Sequence, residues 1–339
     1  MASIMKNYLF HVGIDISKLK LDVALIDKSN TGLKQHFVVS NTAKGLKHML
    51  GVLKQQGIDL KQTLFCFENT GIYTFTLSCF CFENDFDYWI VPAVEIKRSK
   101  GISRGKSDKS DAKDIAFYSM RNIDNLKLSS MPEKEIQQLK LLFTEREKIK
   151  KALLLFGTTK ENKAYTPSDV YKTVEVQNRR TVKFLETSLR AIEKRMREIV
   201  RQAPKLKKQF ELIKSIKGVG EQTAIYFIIA TKGFTVFGSA RKLACYAGVA
   251  PFGYSSGSSV RGGTKVNHMA DKTMKSLLQM CALSAVRHDA QLRAYYLRKQ
   301  GEGKNRMLVL NNVRCKIIGR IFAVIKRGSP FVDTFQFEA

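Results

Sequence analysis

Four acidic residues stand where a folded chain could bring their carboxylates together. Asp15 ends one apolar, strand-like segment and Glu68 ends another. An ionised carboxylate in such a place is costly unless it is paired or binds a metal ion. Asp108 and Asp111 are three residues apart at a predicted helix start, which puts both carboxylates on one helix face. Four oxygen ligands of this kind predict a site for one or two Mg²⁺ ions that assist phosphoryl transfer.

Each acid also has an ordinary structural interpretation. Asp108 alone would be a helix N-cap, and Asp111 or Asp114 would be a solvated acid that the helix dipole favours in the first turn. Only the order of the four acids along the chain, and the elements that carry them, favour catalysis.

A serine-rich segment supplies a second kind of chemistry. Residues 246–265 form a Gly/Ser stretch that ends with Arg261 and Lys265. Its composition is that of a flexible linker, but its place between helical stretches in a very basic region predicts a loop that lies against DNA. A serine hydroxyl can attack phosphorus if a metal ion activates it and stabilises the developing charge. The stretch contains Ser255, Ser256, Ser258 and Ser259.

Residues 212–224 predict a turn that binds phosphate. Apolar residues flank Gly218 and Gly220 as in a helix-hairpin-helix motif, and Lys217 precedes the first glycine. Backbone N–H groups at the start of the next helix would then meet a nucleic-acid phosphate without reading a base. A simple tight turn between two core helices is the alternative.

The N-terminal third alternates strands and helices, which would position the acids. Strand-like runs occur at 8–16, 21–26, 34–40, 63–68 and 88–91. An amphipathic helix begins at Thr42, between the third and fourth runs, and ends near Gly57. The order β-β-β-α-β-α-β-α is that of the ribonuclease H-like fold, although many α/β domains share parts of it.

Two long charged helices are predicted in the middle of the chain, at 131–155 and 174–200. In the second, apolar residues advance alternately by three and four positions; they are Val182, Leu185, Leu189, Ile192, Met196 and Ile199. This heptad seam either packs against the chain's own domains or pairs two protomers as a coiled coil. Arg179 and Arg180, on the same stretch, could reach phosphates.

The charge of the chain points to a polyanionic partner. Its 339 residues include 58 Lys and Arg against 30 Asp and Glu, a formal net charge of +28. Residues 1–145 carry only +4, whereas 146–217 carry +12 and 232–328 carry +15. An excess this uneven predicts a protein that handles nucleic acid.

Several other classes are excluded. No apolar run approaches the roughly 18–20 residues of a membrane span, and the N-terminus shows no secretory signal. The six cysteines include no CxxC pair, so neither a zinc site nor a disulfide framework is indicated. We expect a cytosolic protein with reduced thiols.

Together these segments resemble the insertion-sequence transposases related to the Piv DNA invertase, the IS one-ten family. The matching segments are 13–18, 68–71, 106–112, 216–224, 247–251 and 255–257. They span nearly the whole chain in the family's order. The resemblance implies a fold of three parts: a RuvC-like, ribonuclease H-like α/β domain at 1–128, a helical coiled-coil spacer at 129–205, and a mostly helical transposase domain with a helix-hairpin-helix at 206–339.

The resemblance also implies roles and partners. Asp15, Glu68, Asp108 and Asp111 would bind Mg²⁺, and Ser256, directly before Gly257, would attack the DNA phosphate to form a covalent phosphoserine intermediate. Members of the family are recombinases guided by a bridge RNA, encoded by the element, that pairs with target and donor DNA. Acids and serine meet from different protomers of a homodimer or homotetramer. The expected location is the prokaryotic cytoplasm, at the nucleoid, with no membrane partner.

Three rival hypotheses remain open at this point. A hydrolytic RuvC-like nuclease or junction resolvase would use water as the nucleophile. A sugar-kinase or actin-like ATPase would explain residues 13–18, which resemble a first phosphate loop, but the chain has no second Gly-rich phosphate motif. A non-enzymatic RNA-binding scaffold would need the carboxylates to be structural.

Overall fold

The computed structural model describes residues 6–99, 107–157, 165–256, 260–266 and 270–333, and within 252–269 it describes the backbone alone. The chain divides into two compact units, residues 1–131 and 132–339, called here the N-terminal and C-terminal units. Each is described by itself. The predicted division into three parts, at 128 and 205, stays a prediction.

The N-terminal unit is built on one five-stranded sheet with the order β3-β2-β1-β4-β5. The strands are β1 (Phe10–Ile16), β2 (Lys20–Asp27), β3 (Asn30–Ser40), β4 (Thr63–Glu68) and β5 (Tyr88–Val91). The first three pair antiparallel, while β4 runs parallel to β1 and β5 parallel to β4. The predicted order of strands and helices is confirmed.

Helices cover both faces of this sheet. They are α1 (Ala43–Gln55), α2 (Thr74–Glu83), α3 (Ala93–Ser99) and α4 (Asp108–Arg121), with short 3-10 segments at Leu60–Gln62, Gly71–Tyr73 and Ile123–Asn125. The Thr42 hydroxyl accepts a hydrogen bond from Gly45 N and caps α1, as predicted. One apolar core includes α1, α2 and alternate residues of β4 such as Phe65, whereas a second includes α3, α4 and the residues between them, such as Cys66. The alternation of strand side chains therefore decides which residues face α4.

The C-terminal unit is mostly helical. Its elements are α5 (Lys134–Gly157), α6 (Ser168–Gln202), α7 (Pro204–Lys214), α8 (Glu221–Ala230), α9 (Ala240–Tyr246), β6 (Pro251–Ser256), β7 (Val260–Val266), α10 (Lys272–His288), α11 (Ala290–Gly301) and α12 (Arg306–Arg327). A single core joins the helices around α8, whose Phe227 and Ile228 are fully buried. In the described part of the chain, no helix has the length and apolar character needed to cross a membrane.

The middle helices pack into this unit. Helix α5 lies along α6, and Arg146 Nε on α5 donates to Glu193 Oε1 on α6 at 2.7 Å. At the C-terminal end of the predicted heptad seam, Met196 and Ile199 are buried in the core of the unit. This end of the seam therefore packs against the chain's own helices, the first of the two alternatives left open.

The prediction of a loop at residues 246–265 is wrong for most of that segment. Strands β6 and β7 form an antiparallel hairpin that pairs Pro251 with Val266 and Ser256 with Val260. Glycine and serine are poor strand formers, which is why composition favours a loop. Pairing of the two strands overrides that preference, because each satisfies the backbone groups of the other.

Candidate metal centre and nucleic-acid interface

Parallel pairing places Asp15 and Glu68 side by side at one end of the sheet. The register of β1 and β4 runs to Ile14 opposite Phe67, and Asp15 and Glu68 are the next residues on their strands. Because Ile14 and Phe67 belong to the core under α1 and α2, the alternation directs both acids to the face covered by α4. Both side chains are half-buried.

Gly13 allows α4 to reach the acids. A Cβ atom at Gly13 would lie 2.2 Å from Ala116 N and 2.3 Å from Ala112 O, both in the backbone of α4. Only a residue without a side chain permits so close an approach of strand and helix. Since Gly13 is two residues before Asp15 on the same strand face, the first turn of α4 is brought to Asp15.

The start of α4 carries Asp108 and Asp111. The cap of this helix is Ser107, whose hydroxyl accepts from Ser110 N at 3.2 Å. The interpretation of Asp108 as the N-cap is therefore wrong, and Asp108 is instead the first residue of the helix. Acidic residues in a first turn are stabilised by the helix dipole, so α4 can present two carboxylates here.

Electrostatics show that the predicted acids gather around Asp15. The pKa of Asp15 is raised from 3.8 to about 6. Burial is the largest cause, and the negative charges of four nearby acids add to it; they are Asp111, Asp108, Asp22 and Glu68. Like charges disfavour ionisation of a neighbour only at short range. The structure thus brings all four predicted acids to one place and adds a fifth, Asp22.

Asp22 and Lys20 form a part of the site that the sequence analysis missed. Asp22 lies on β2 directly opposite Asp15 and is 5% exposed. It accepts from Lys20 Nζ at 3.1 Å and is hydrogen-bonded to His36 Nε2, also at 3.1 Å. Lys20 Nζ also donates to Asp108 Oδ2 at 2.6 Å, so one ammonium bridges Asp22 and Asp108. Both carboxylates hold the pKa of Lys20 above its usual value, the Asp108 bond foremost.

The donor set suits a hard divalent cation. Carboxylate oxygens at strand and helix ends are the ligands that such ions prefer, and burial together with the charges of four neighbouring acids raises the pKa of Asp15. Within the described residues, no three acidic, histidine or cysteine side chains converge closely enough to enclose an ion as they stand. Closing on an ion would therefore require the carboxylates to adjust.

The second predicted site, the turn between α7 and α8, lies in the C-terminal unit. Gly218 has a φ of 88°, and a Cβ there would lie 2.8 Å from the backbone of Ala285 on α10. Gly220 is the N-cap of α8, is exposed, and a Cβ there would meet no atom within 4 Å. Gly218 thus permits the turn to pack against α10. Gly220 leaves the N-terminus of α8 open to a phosphate.

The predicted basic contacts differ in their surroundings. Lys217 Nζ donates to Asp333 Oδ2 at 2.8 Å. Arg179 Nη2 donates to Glu175 Oε1 at 2.8 Å on the exposed surface of α6, where Arg180 is also exposed. Arg261 and Lys265 pair with Ser255 and Phe252 through the backbone of β7, and their side chains lie outside the described residues.

Ser256 is the last residue of β6, at the end of the hairpin. Its backbone pairs with Val260, and its side chain lies outside the described residues, as do Gly257, Ser258 and Ser259 entirely. The candidate serine therefore belongs to the C-terminal unit and the candidate metal ligands to the N-terminal one.

Comparison with known families decides the identity of the chain. Residues 12–155 match the DEDD transposase model of the IS110 group, and residues 210–297 match the model described as Transposase IS116/IS110/IS902 family. The chain belongs to the IS116/IS110/IS902 transposase family. These proteins carry out DNA transposition and recombination, and the resemblance inferred from the sequence is confirmed.

Relatives of this transposase include two DNA-inverting proteins. The chain is 25% identical over 331 residues to the pilin gene-inverting protein of Moraxella bovis, covering 95% of this chain and 97% of that one. The pilin gene-inverting protein of Moraxella lacunata is 24% identical with the same coverage. The insertion element IS110 uncharacterized 43.6 kDa protein of Streptomyces coelicolor is 29% identical over 151 residues, 44% of this chain and 37% of its own.

The two matched segments of the transposase contain nearly all of the predicted site residues. The first includes the four acids together with Lys20 and Asp22, and the second includes the α7–α8 turn and the β6–β7 hairpin. Arg179 and Arg180 lie between the segments. Asp22 could have been found from the sequence, because pairing β1 with β2 across the turn at Ser17 places residue 22 opposite residue 15.

Proposed function

We propose that this transposase is an RNA-guided recombinase that cleaves and rejoins DNA through Ser256, assisted by Mg²⁺. The observation that carries the proposal is the approach of α4 to β1 at Gly13, which gathers Asp108 and Asp111 with Asp15 and Glu68. The sheet order, with three antiparallel strands followed by two parallel ones, supports a ribonuclease H-like fold for the N-terminal unit.

The four acids would hold the metal ion. A bound Mg²⁺ supplies charge stabilisation at phosphoryl oxygens and lowers the pKa of an attacking hydroxyl. Asp15, Glu68, Asp108 and Asp111 provide the oxygen ligands, while Asp22 and His36 fix the position of Lys20 beside them. Asp15 would bind the ion in its ionised form, so its raised pKa would make binding of the ion depend on pH.

Ser256 would act as the nucleophile. Its Oγ forms an ester bond to a DNA phosphorus and loses its proton, while the sugar oxygen leaves and gains a proton. Attack by the hydroxyl of another strand reverses these steps and frees the serine. One phosphoester is exchanged for another at each step, so no external energy source is needed.

The C-terminal unit would hold donor DNA, target DNA and the guide RNA. Its large positive charge supports this use. The α7–α8 turn would act as a helix-hairpin-helix, with Lys217, Gly218 and Gly220 on a phosphate, and Arg179, Arg180, Arg261 and Lys265 would add contacts. The printed names of the Moraxella relatives, which describe inversion of a pilin gene, support DNA rearrangement as the activity class.

Pairing of protomers would use the distal ends of α5 and α6. Leu154 and Leu155 on α5 and Phe184 on α6 are 71%, 75% and 70% exposed. Apolar side chains exposed together on helices with a heptad pattern are typical of coiled-coil contacts. The protein would then act as a homodimer or homotetramer, and its substrates would place it at the nucleoid in the prokaryotic cytoplasm.

Recombination of donor and target plasmids, with the element's RNA supplied, tests the proposal. Ser256→Ala and Asp15→Ala should each abolish recombination, and each alanine variant should melt like the unmutated protein or above it. Normal recombination by Ser256→Ala would remove the serine from the mechanism. Normal recombination by Asp15→Ala would remove the metal site.

A hydrolytic nuclease is the second candidate. It is favoured by the fact that the four candidate metal-ligating carboxylates all lie in the N-terminal unit, so that a water molecule could serve as nucleophile without Ser256. A covalent adduct between protein and DNA, trapped by denaturation during the reaction, decides between the two. The recombinase forms this adduct and the hydrolase does not.

A further inference from the structure

A groove on the C-terminal unit is lined by cations. Helices α11 and α12 enclose an open cleft with a volume of about 550 Å³. Arg298 lines it from α11, Lys316 and Arg320 line it from α12, and none of the lining residues is acidic. Ligand pockets span roughly 300–1,000 Å³, so the groove can accept a unit of nucleotide size.

An aromatic ring fixes the two exposed cations. Lys316 Nζ lies 4.5 Å from the centre of the Tyr295 ring, and Arg298 Cζ lies 5.9 Å from the same ring. In the described part of the chain, Lys316 has no carboxylate partner. A cation held over a ring face keeps its N–H donors for an anion.

The region around the groove contains few acids, and two of them pair with groove cations. Residues 232–328 contain 18 Lys and Arg but three acids, which are Asp271, Asp289 and Glu302. Asp271 caps α10, and Asp289 caps α11 and binds Arg320 Nη1 at 2.6 Å. Glu302 binds Lys299 at 2.7 Å and lies 4.0 Å from Arg298 Nε. Of the three groove cations, Arg320 and Arg298 thus have acidic neighbours, whereas Lys316 has none in the described part of the chain.

The groove adjoins the α7–α8 turn. The pKa of Lys217 is raised, mainly by its hydrogen bond to Asp333, and the charges of Asp289 and Arg320 also act on it. Gly218 packs against Ala285, four residues before Asp289. A strand bound at the turn could thus continue into the groove.

We propose that this groove binds the sugar-phosphate backbone of a nucleic-acid strand, with Lys316 and Arg298 contacting its phosphates. The proposal rests on the proposed function, because it assumes a nucleic-acid substrate. DNA and RNA offer the same phosphate chemistry, and contacts of this kind give affinity without sequence preference.

Fluorescence anisotropy with the full-length protein tests the groove. The probes are labelled single-stranded DNA, duplex DNA and single-stranded RNA of one sequence, each titrated over a range of salt concentrations. Lys316→Ala should weaken binding of at least one probe by about threefold to tenfold and reduce its salt slope by about one. Lys316→Arg should keep most of the affinity.

The matched control is Lys326→Ala. Lys326 is an exposed lysine on the same helix that lies outside the groove lining, so its loss changes the net charge equally. Arg320 is unsuitable as a test, because its removal leaves the buried Asp289 without its partner.

The possible outcomes separate the groove from the function. If the unmutated protein binds none of the probes, the proposed function fails. If it binds them and Lys316→Ala is indistinguishable from Lys326→Ala, only the groove is overturned. The probe that loses most affinity in Lys316→Ala identifies which strand the groove holds.

Discussion

The two units of this transposase treat charge in opposite ways. The N-terminal unit is nearly neutral overall, yet it gathers Asp15, Asp22 and three further acids at one end of a sheet. The C-terminal unit spreads its cations over the surface, and acids such as Asp289 cap helices and pair with arginine there. Like charges held close together oppose folding, and a bound cation offsets this repulsion. Like charges spread over a surface repel each other little and attract a polyanion.

The largest expected loss of stability comes from a substitution of Gly13, the residue that lets α4 bring its acids to β1. Gly13→Ala would place a Cβ 2.2 Å from backbone N of Ala116, so α4 must move away from β1. We expect the free energy of unfolding to fall by about 3 kcal/mol, and recombination to be lost with it. Urea denaturation followed by circular dichroism measures the change.

Gly51→Ala is the matched control for this substitution. Gly51 lies inside α1, where a Cβ would meet no atom within 4 Å. Alanine is favoured over glycine in a helix by about 0.5–1 kcal/mol, so this variant should gain stability. Equal stability of the two variants would mean that close contact at Gly13 does not hold α4.

The next largest effect should come from an acid of the C-terminal unit. Asp289 is 1% exposed, caps α11 at Leu292 N and binds Arg320. Asp289→Ala leaves the guanidinium without its buried partner, and we expect a loss of about 3 kcal/mol in thermal or urea denaturation. Glu302→Ala, at an exposed ion pair, should change stability little, and a comparable loss there would contradict the distinction.

An acid of the N-terminal unit should behave in the opposite way. Asp15→Asn removes a charge that burial and the neighbouring acids oppose, so stability above neutral pH should rise by about 1 kcal/mol, a value reduced for solvent screening. The same change should weaken Mg²⁺ binding more than about tenfold. Thermal melting with and without Mg²⁺ measures both effects.

Asp124→Asn, at an exposed acid of the same unit, serves as the control for Asp15. It should alter neither stability nor the Mg²⁺ response. A loss of stability in Asp15→Asn without added metal would show that the Asp15 carboxylate stabilises the fold, as that of Asp289 does. The two units would then not differ in how their acids affect stability.

The dependence on pH follows from the same residue. The pKa of Asp15 is raised from 3.8 to about 6, by burial first and then by Asp111 and the other acids. Between these values the folded state binds more protons than the unfolded state, so the contribution of Asp15 to stability falls as pH rises through this window. Mg²⁺ binds the ionised form, so its affinity should rise over the same range.

The measurement is the melting temperature of the unmutated protein relative to Asp15→Asn across this window. Without metal, the melting temperature of the unmutated protein should fall relative to that of Asp15→Asn as pH rises. Added Mg²⁺ should reverse this change. A difference that stays constant with pH would contradict the raised pKa.

Much of the N-terminal unit could be predicted from sequence because its signals are local. The strand ends at Asp15 and Glu68 follow from short apolar runs, and the cap at Thr42 from the residues after it. The spacing of Asp108 and Asp111 within one helix was enough to predict that they share a face. The N-cap is Ser107, one residue before the predicted Asp108. What links the acids to each other, the approach at Gly13, depends on atoms 99 and 103 positions further along the chain.

The remainder depends on how segments pair, which the composition of a single segment does not show. Asp22 joins the site through strand register, and the β6–β7 hairpin forms in spite of its composition. In the C-terminal unit, the bonds of Lys217 to Asp333 and of Arg320 to Asp289 join helices and turns that are distant in sequence. Charge counts locate the basic half of the chain but not the groove within it.

The smallest expected effect concerns Lys20, a cation inside the acidic site. Lys20 Nζ bridges Asp22 and Asp108, so it competes with a metal ion for the Asp108 carboxylate. Lys20→Met should therefore raise the affinity for Mg²⁺ by about threefold, a small factor because the ammonium is exposed. Titration calorimetry measures it, with Lys18→Met, at an exposed lysine of the same turn, as the control. A lower affinity in Lys20→Met would mean that Lys20 positions Asp108 for the ion, and the N-terminal unit would then depend on its own cation to keep the acids together.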